Sequence, residues 1–361
     1  MKVYVLPADP HGCGHYRLIW PSNVLQKAGH EIVIMPPSKD SGFMASFQDN
    51  DDGTQLLTGL RVPADADVIV LQRPSHPMQP SMIQMLRSNG IAVVVDMDDD
   101  MSSIHPNNIA FNTYRPDSAF RKIGVTVKKT FSWKHAVESC KVATLVTTST
   151  KSLQRVYARH GRGAVLDNYV PAAYLDFETE EAGTFGWAGT TKSHPNDLQV
   201  TGLTVRQLMG EGYKFRVVGG KSKVKEALRL PDAPEVTGSV PLDQWAREIG
   251  NNLDVGMAPL APTSFNTSKS RLKAIEYMAV GVPWVASPRE EYRRTHRESG
   301  CGLLAETPKD WYSKLKLLLD DEVLRKEQAE AGREYMVGQT YQANAWRWWE
   351  AWERALEIQR G

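Results

Sequence analysis

Lys269, Lys273 and Glu276 stand four and three residues apart in a stretch that ends Gly281-Val282-Pro283. On an α-helix this spacing sets two cations and one carboxylate on one face, either facing a common cleft or forming an exposed ion-pair ladder. A helix that ends Gly-Val-Pro and leads at once into a buried strand starts at the cleft edge and runs away from it, which favours the first reading. A second cluster follows an apolar run at 184–188: Gly189-Thr190-Thr191-Lys192-Ser193-His194-Pro195-Asn196. A strand, a glycine turn and a helix entered through Ser193 or Asn196 make an anion-ready arrangement with Lys192 beside it. His194 there either donates to a phosphate or sugar oxygen or simply orders the turn.

The first half carries two more clusters. Four consecutive apolar residues, 92–95, lead into Asp96-Met97-Asp98-Asp99-Asp100. Carboxylates crowded at the carboxyl end of a buried strand repel one another unless a cation or hydrogen-bond donors offset them, so a functional role is expected for some, while Asp99 or Asp100 could cap a following turn. The opening strand runs into Asp9-Pro10-His11-Gly12-Cys13-Gly14-His15-Tyr16-Arg17, a glycine turn that opens a helix. Its backbone can approach an anion closely, with Arg17 near the site or on the surface. Gly12-x-Gly14 lacks the third glycine of a dinucleotide fingerprint, so a nicotinamide cofactor is not expected.

The elements that must position these residues alternate between short apolar strands and helix-length amphipathic runs, the pattern of an α/β chain with parallel sheets. Strands are expected at 2–6, 31–35, 68–71, 92–96 and 145–148, with helices near 16–28, 81–88 and 132–139. A second series has strands at 184–188, 215–218, 235–237, 254–258 and 283–286, with helices near 196–209, 242–249, 270–280 and 308–319. Pro171 and the acidic run Glu178, Glu180, Glu181 mark a hinge between the two. The tail repeats apolar residues at helical spacing (Ala345, Trp348, Trp349, Trp352, Ala355, Leu356), a packing stripe on a domain-crossing helix.

The 361 residues allow about two domains of ~150 residues each. Lys and Arg number 43 against 42 Asp and Glu, a balance that disfavours nonspecific coating of nucleic acid. The three cysteines (Cys13, Cys140, Cys301) form no C-x-x-C pair, so neither a disulfide framework nor a structural zinc site is indicated. The first apolar stretch is too short for a signal peptide and no run approaches a membrane span, so a cytoplasmic protein is expected.

Three motifs in the second half resemble the retaining glycosyltransferases of the GT-B architecture, close to family 4. They are Gly-Trp-x-Gly-x-x-x-x-His-x-x-Asp-Leu at 186–198, Val-Thr-Gly-Ser-Val-Pro-Leu at 236–242, and Lys-Ser-x-x-Lys-x-x-Glu-Tyr-x-Ala-x-Gly-Val-Pro at 269–283. The first half is similar to the acceptor domain of the same group through Gly12-x-Gly14-x-Tyr16-Arg17 and the acidic run. His160-Gly161-Arg162-Gly163 and Asp243-Gln244-Trp245 resemble the style of actinobacterial phage glycosyltransferases. The resemblance implies two Rossmann-like domains facing across a cleft: an acceptor-side domain over 1–180, a nucleotide-sugar domain over 181–340, and a helix over 341–361 returning to the first.

In that setting Glu276 accepts from the donor ribose, the loop bearing Gly238, Val240 and Pro241 meets the base, and Lys192 and Lys269 neutralise the diphosphate. Gly189, Thr190, His194, Asn266, Ser268 and Lys273 complete the donor set. Asp98, Asp99 and Asp100 serve the acceptor or the reacting sugar, and Gly12, Gly14, His15 and Arg17 lie on the acceptor or phosphate side. Where family 4 usually has a second glutamate and a Phe-Gly pair this chain has Ser268, Ser270 and Arg271. The expected activity is transfer of a sugar from a UDP- or GDP-sugar, with retention and with no metal or further cofactor; Asp96-x-Asp98 as a metal-holding D-x-D is the alternative. Two rival readings are a phage DNA-base glycosyltransferase, on the basic stretch Arg121, Lys122, Lys128, Lys129, Lys134 and His135, and a noncatalytic sugar-binding protein.

Overall fold

The computed structural model describes residues 1–35, 44–49, 55–111, 121–122, 125–126, 132–177, 183–220 and 223–361. Lys128, Lys129 and the acidic run Glu178, Glu180, Glu181 lie outside the described residues. The chain forms two compact units: residues 1–106, 110–168 and 345–361, and residues 107–109 with 169–344.

The first unit is built on β1 (Lys2–Leu6), β2 (Glu31–Ile34), a hairpin of β3 (Met44–Asp49) and β4 (Gln55–Arg61), then β5 (Val68–Gln72) and β6 (Ala92–Met97). A two-strand pair, β7 (Arg121–Lys122) and β8 (Val125–Thr126), precedes β9 (Leu145–Thr148) and β10 (Gly163–Val165). The main sheet runs β10-β9-β6-β5-β1-β2 and every pairing is parallel. The unbroken apolar runs follow from this: β6 is covered on both faces and Val93, Val94 and Val95 have no exposed surface. The helix Trp346–Arg360 belongs to this unit, with Trp348 and Trp352 fully buried and the Trp348 indole N–H donating to the Arg17 carbonyl at 2.8 Å. Trp349, expected in the same stripe, is only half buried; its N–H donates to Glu353 and its ring lies 3.9 Å from that of His30, while Ala351 takes the buried position.

The second unit repeats the plan with β11 (Thr184–Gly189), β12 (Lys214–Gly219), β13 (Glu235–Val236), β14 (Val255–Ala258), β15 (Trp284–Ala286) and β16 (Leu303–Leu304). Their order is β13-β12-β11-β14-β15-β16, again all parallel, over a core that includes Phe185, Trp187, Phe215 and Trp311. In both sheets the order in which successive strands are added reverses once, between β1 and β5 and between β11 and β14. At such a switch point the loops leaving the carboxyl ends of adjacent strands part, and a ligand can enter.

The expected α/β class with two parallel sheets is what the chain forms, and two local expectations change. The helix expected over 196–209 is split into a 3-10 turn, Leu198–Thr201, and a helix, Thr204–Gly210. Gly202 between them has φ +61°, a conformation that costs other residues more, and a Cβ there would press on Pro308 at 3.0 Å. The helix expected from 270 begins at Leu272, so Lys269 lies in the preceding turn rather than on the face shared by Lys273 and Glu276.

Candidate active site

At the second unit's switch point the buried carboxylate of Asp197 joins two loops. It can only accept, so His194 Nδ1 donates to its Oδ2 at 3.0 Å, while Oδ1 takes the Ala261 backbone N–H at 2.8 Å and the Asn266 amide at 2.6 Å. The turn after β11 is thereby tied to the loop after β14. Asn266, expected to touch the donor, spends its amide inside this network, donating to the Ala261 carbonyl at 3.0 Å as well. Burial lowers the His194 pKa below its ordinary value; Asp197 pulls it up, and Lys269 and Lys273 push it down.

Lys273 reaches from its helix to the end of β11. Its ammonium donates to the Ala188 carbonyl and lies 5.5 Å from the Trp187 ring centre, and burial lowers its pKa. Gly189 is small because nothing larger fits: a Cβ would stand 2.9 Å from both the Lys273 ammonium and the Trp187 ring. Thr190 accepts the Lys192 N–H on Oγ1 at 3.3 Å. Lys269 sits with its ammonium 4.5 Å from the Phe265 ring centre, held by cation–π attraction.

Glu276 is almost fully buried, and its Oε1 accepts the Trp245 indole N–H at 3.0 Å. Trp245 comes from the helix after the 237–242 loop, so the same contact holds the carboxylate and that loop's far end together. The loop leaves β13 through Gly238, at φ +84°, whose N–H donates to the Gly219 carbonyl at 3.2 Å, while Thr237 Oγ1 accepts the Gly219 N–H at 2.9 Å. Val240 is half buried and Pro241 exposed. Ser268 is buried. Arg271 turns away from this edge: its guanidinium binds Glu298 and Tyr335 on later helices and Gln339 in the turn that follows.

A cavity of about 450 Å³ opens in this unit, lined by Thr191, Lys192, His194, Lys223 and Glu226 among others. Residues 107–109 close one side. Ile109 N–H donates to the Lys192 carbonyl at 2.9 Å and the Asn108 amide to the Ser193 carbonyl at 2.8 Å, fixing the backbone of the turn that bears Lys192 and His194.

In the first unit the turn after β1 is organised by Asp9, whose Oδ1 accepts the N–H groups of His11 at 2.8 Å and Gly14 at 3.3 Å. A Cβ on Gly14 would fall 1.9 Å from the Asp9 carbonyl oxygen, whereas Gly12 has open space. His15 donates from Nδ1 to the His11 carbonyl at 2.8 Å and begins a π-helical turn, His15–Ile19, which carries Arg17 inward. Arg17 is 1% exposed. It grips Asp96 through Nε at 3.0 Å and Nη2 at 2.8 Å, and gives Nη1 to the Leu166 carbonyl at 2.5 Å and the Asn168 side chain at 2.9 Å. Thr147 adds a 2.7 Å bond to Asp96. The arrangement is a closed internal clamp, with no guanidinium face offered to a ligand.

The acidic run divides by partner. Arg73, at the end of β5 in a left-handed conformation (φ +50°), binds Asp98 through Nε and Nη2, and its Nη2 also reaches Asp99 Oδ2 and Cys13 Sγ, each at 3.2 Å. Burial raises the Asp98 pKa and the Asp99 and Asp96 charges add to this, with Arg73 opposing. Burial also works against the Arg73 charge, but Asp98, Cys13 and Asp99 more than offset it and hold the guanidinium well above its ordinary value. Asp100 caps the turn Met101–Ser103, accepting from Ser102 N–H and from the Ser102 and Ser103 hydroxyls. Asp98 is 10% and Asp99 23% exposed, so Asp99 is the more accessible of the two.

Sequence reasoning missed Arg73, Asp197 and Trp245 as parts of these sites. Asp197 was legible as the Asp of the His-x-x-Asp pattern. Arg73 and Trp245 carry no local signal, because their partners lie 25 and 31 residues away.

Residues 184–321 match the family model described as "Glycosyl transferases group 1". No curated protein matches the chain. Among solved structures, sucrose-phosphate synthase from Thermosynechococcus elongatus is 13% identical with a TM-score of 0.63, covering 99% of this chain and 100% of its own. The HepE protein of Anabaena, in complex with UDP, is 12% identical at 0.60, covering 97% and 99%. A glycosyltransferase from Rickettsia africae is 13% identical at 0.58, covering 99% of each chain. The chain therefore has the GT-B fold, two parallel-sheet Rossmann-like domains of the kind these structures contain, and its second domain carries the group 1 glycosyltransferase match.

Proposed function

We propose that the protein is a glycosyltransferase that binds a nucleotide-diphosphate sugar at the second unit's switch point and moves the sugar to an acceptor engaged by the first unit. The observation that carries this reading is a coincidence of two kinds of evidence. The segment that matches the group 1 family is the one in which Lys269, Lys273, Glu276 and the His194–Asp197–Asn266 network gather at the ends of β11 and β14. Breaking the glycosidic bond leaves negative charge on the diphosphate, and cations already fixed beside it lower that barrier. Lys269, Lys273 and Lys192 supply such charge, and Glu276, held by Trp245, is suited to accept from vicinal hydroxyls of a ribose.

The loop bearing Gly238, Val240 and Pro241 meets the base; UDP and GDP are both admissible, and UDP is the nucleotide bound in the HepE structure. Retention follows the likeness to family 4. Catalysis independent of a metal is supported by the engagement of the D-x-D carboxylates: Asp96 is clamped by Arg17 and Thr147, and Asp98 by Arg73. Of Asp98, Asp99 and Asp100 in the first unit, Asp99 is the most exposed and is the one assigned to the acceptor, with Gly12, Gly14 and His15 on the neighbouring loop.

The test is a thermal-shift screen of the pure protein against UDP- and GDP-sugars, because a ligand bound only by the native state raises the melting temperature. Stabilisation by one nucleotide series, abolished in Glu276→Ala, is the expected result. No shift with any nucleotide sugar would overturn the reading.

A further inference from the structure

We infer that His194 is a proton-coupled anion receptor: binding of a nucleoside diphosphate draws a proton onto its Nε2, and Asp197 is the positioning residue that makes this possible. The inference rests on the donor-binding reading above and concerns how the site takes charge.

The geometry comes first. Nδ1 of His194 is committed to Asp197, a carboxylate that is itself buried and fixed by Ala261 and Asn266. A neutral imidazole bonded this way keeps its proton on Nδ1 and presents Nε2 as a lone pair. His194 lines the 450 Å³ cavity, and with Nδ1 turned to the buried Asp197, Nε2 is the ring nitrogen left for an occupant. A lone pair repels a phosphate oxygen, so a neutral His194 is a poor ligand for the anion that the neighbouring lysines attract. Once protonated, the same ring donates from both nitrogens, to Asp197 on one side and to the phosphate on the other.

The groups that act on the ring are Asp197 from its own turn and Lys269 and Lys273 from the turn and helix 268–279, while Lys192, Lys223 and Glu226 are the other charged groups lining the cavity. Burial and the two lysines 269 and 273 disfavour the charged ring in the free protein, holding its pKa below the ordinary histidine value. A diphosphate brings at least two negative charges and neutralises those lysines, so the balance reverses and the pKa rises. A site whose pKa rises on binding takes up protons, and affinity then increases as pH falls between the free and bound values.

Calorimetric titration of the full chain with UDP and with GDP, in buffers of different ionisation enthalpy, reads the proton count directly. Wild type minus His194→Gln removes the ligand's own protonation. The expected result at pH 6.5–7.5 is an uptake in wild type greater than that in H194Q by about half a proton or more, with affinity falling more steeply as pH rises in wild type than in the variant, by up to about tenfold per pH unit. Asp197→Asn should retain binding with a smaller uptake, since the imidazolium loses its counter-charge. Nucleotide binding with the same proton count in wild type and H194Q would overturn this inference and leave the donor reading standing. Failure of both nucleotides to bind wild type would overturn both.

Discussion

Replacing Arg17 by methionine separates a structural arginine from a ligand-binding one. Arg17 and Asp96 are 1% and 0% exposed, and the pair is closed by two guanidinium bonds to the carboxylate, with further bonds from Arg17 to the Leu166 carbonyl and Asn168. In Arg17→Met the Asp96 carboxylate keeps the Thr147 hydroxyl as a donor but loses its cation at a fully buried position. Removing one partner of such a pair costs about 3–5 kcal/mol. For a unit of this size each kcal/mol lowers the melting temperature by about 2–4 °C, so a drop of roughly 6–20 °C is expected. Adding Asp96→Leu should recover much of the loss, because replacing a buried ion pair by apolar groups is often near neutral. Differential scanning calorimetry of the single and double variants gives the comparison. A single variant that melts within about 1 °C of wild type yet has lost activity would refute the clamp and return Arg17 to the phosphate or acceptor side.

Three further outcomes follow from the same geometry. Glu276→Ala is expected to weaken nucleotide-sugar binding by calorimetry at unchanged circular dichroism, with Trp245→Phe showing a smaller loss because it removes only the bond that orients the carboxylate. Burial pushes the Cys13 thiol up to about 12 despite the Arg73 guanidinium beside it; alkylation by iodoacetamide at pH 8 should therefore run about a thousandfold slower than for a free cysteine, and a rate within tenfold would show an open thiol. Activity should survive exhaustive chelation. Loss on chelation that manganese restores, together with loss of manganese binding in Asp98→Asn, would favour the D-x-D alternative.

The strands and the class were legible because their residues report only on their own burial: Val93 to Val95 read as a strand covered on both faces, and they are. The Gly189 turn was legible for a similar local reason, since close approach by Lys273 and Trp187 demands a residue without a side chain. What the sequence concealed is where polar groups find partners across the sheet. The crowded carboxylates of 96–100 called for a cation, but nothing in the sequence named Arg73 as the one that meets Asp98, and Asn266 reads as a ligand contact until its amide is seen bonded to Asp197. Arg17 follows the same pattern, because nothing in the run from Gly14 to Arg17 announces a π-helical turn that swings the side chain onto Asp96. Lys269 differs in kind: its i, i+4 spacing with Lys273 was real, but the helix starts three residues later than that spacing suggested.

The most direct test of the proposed activity is the release of nucleoside diphosphate from a nucleotide sugar by the wild-type protein and by Lys269→Ala. Charge on the leaving group is greatest in the transition state, and losing one fixed cation there costs about 3 kcal/mol of barrier, roughly a hundredfold in rate. The expected result is steady release by wild type with at least one UDP- or GDP-sugar, slowed about a hundredfold in Lys269→Ala while donor affinity changes little. A variant rate within twofold of wild type would remove Lys269 from the reaction, and no release above the buffer rate by wild type with any nucleotide sugar would contradict the assignment as a glycosyltransferase.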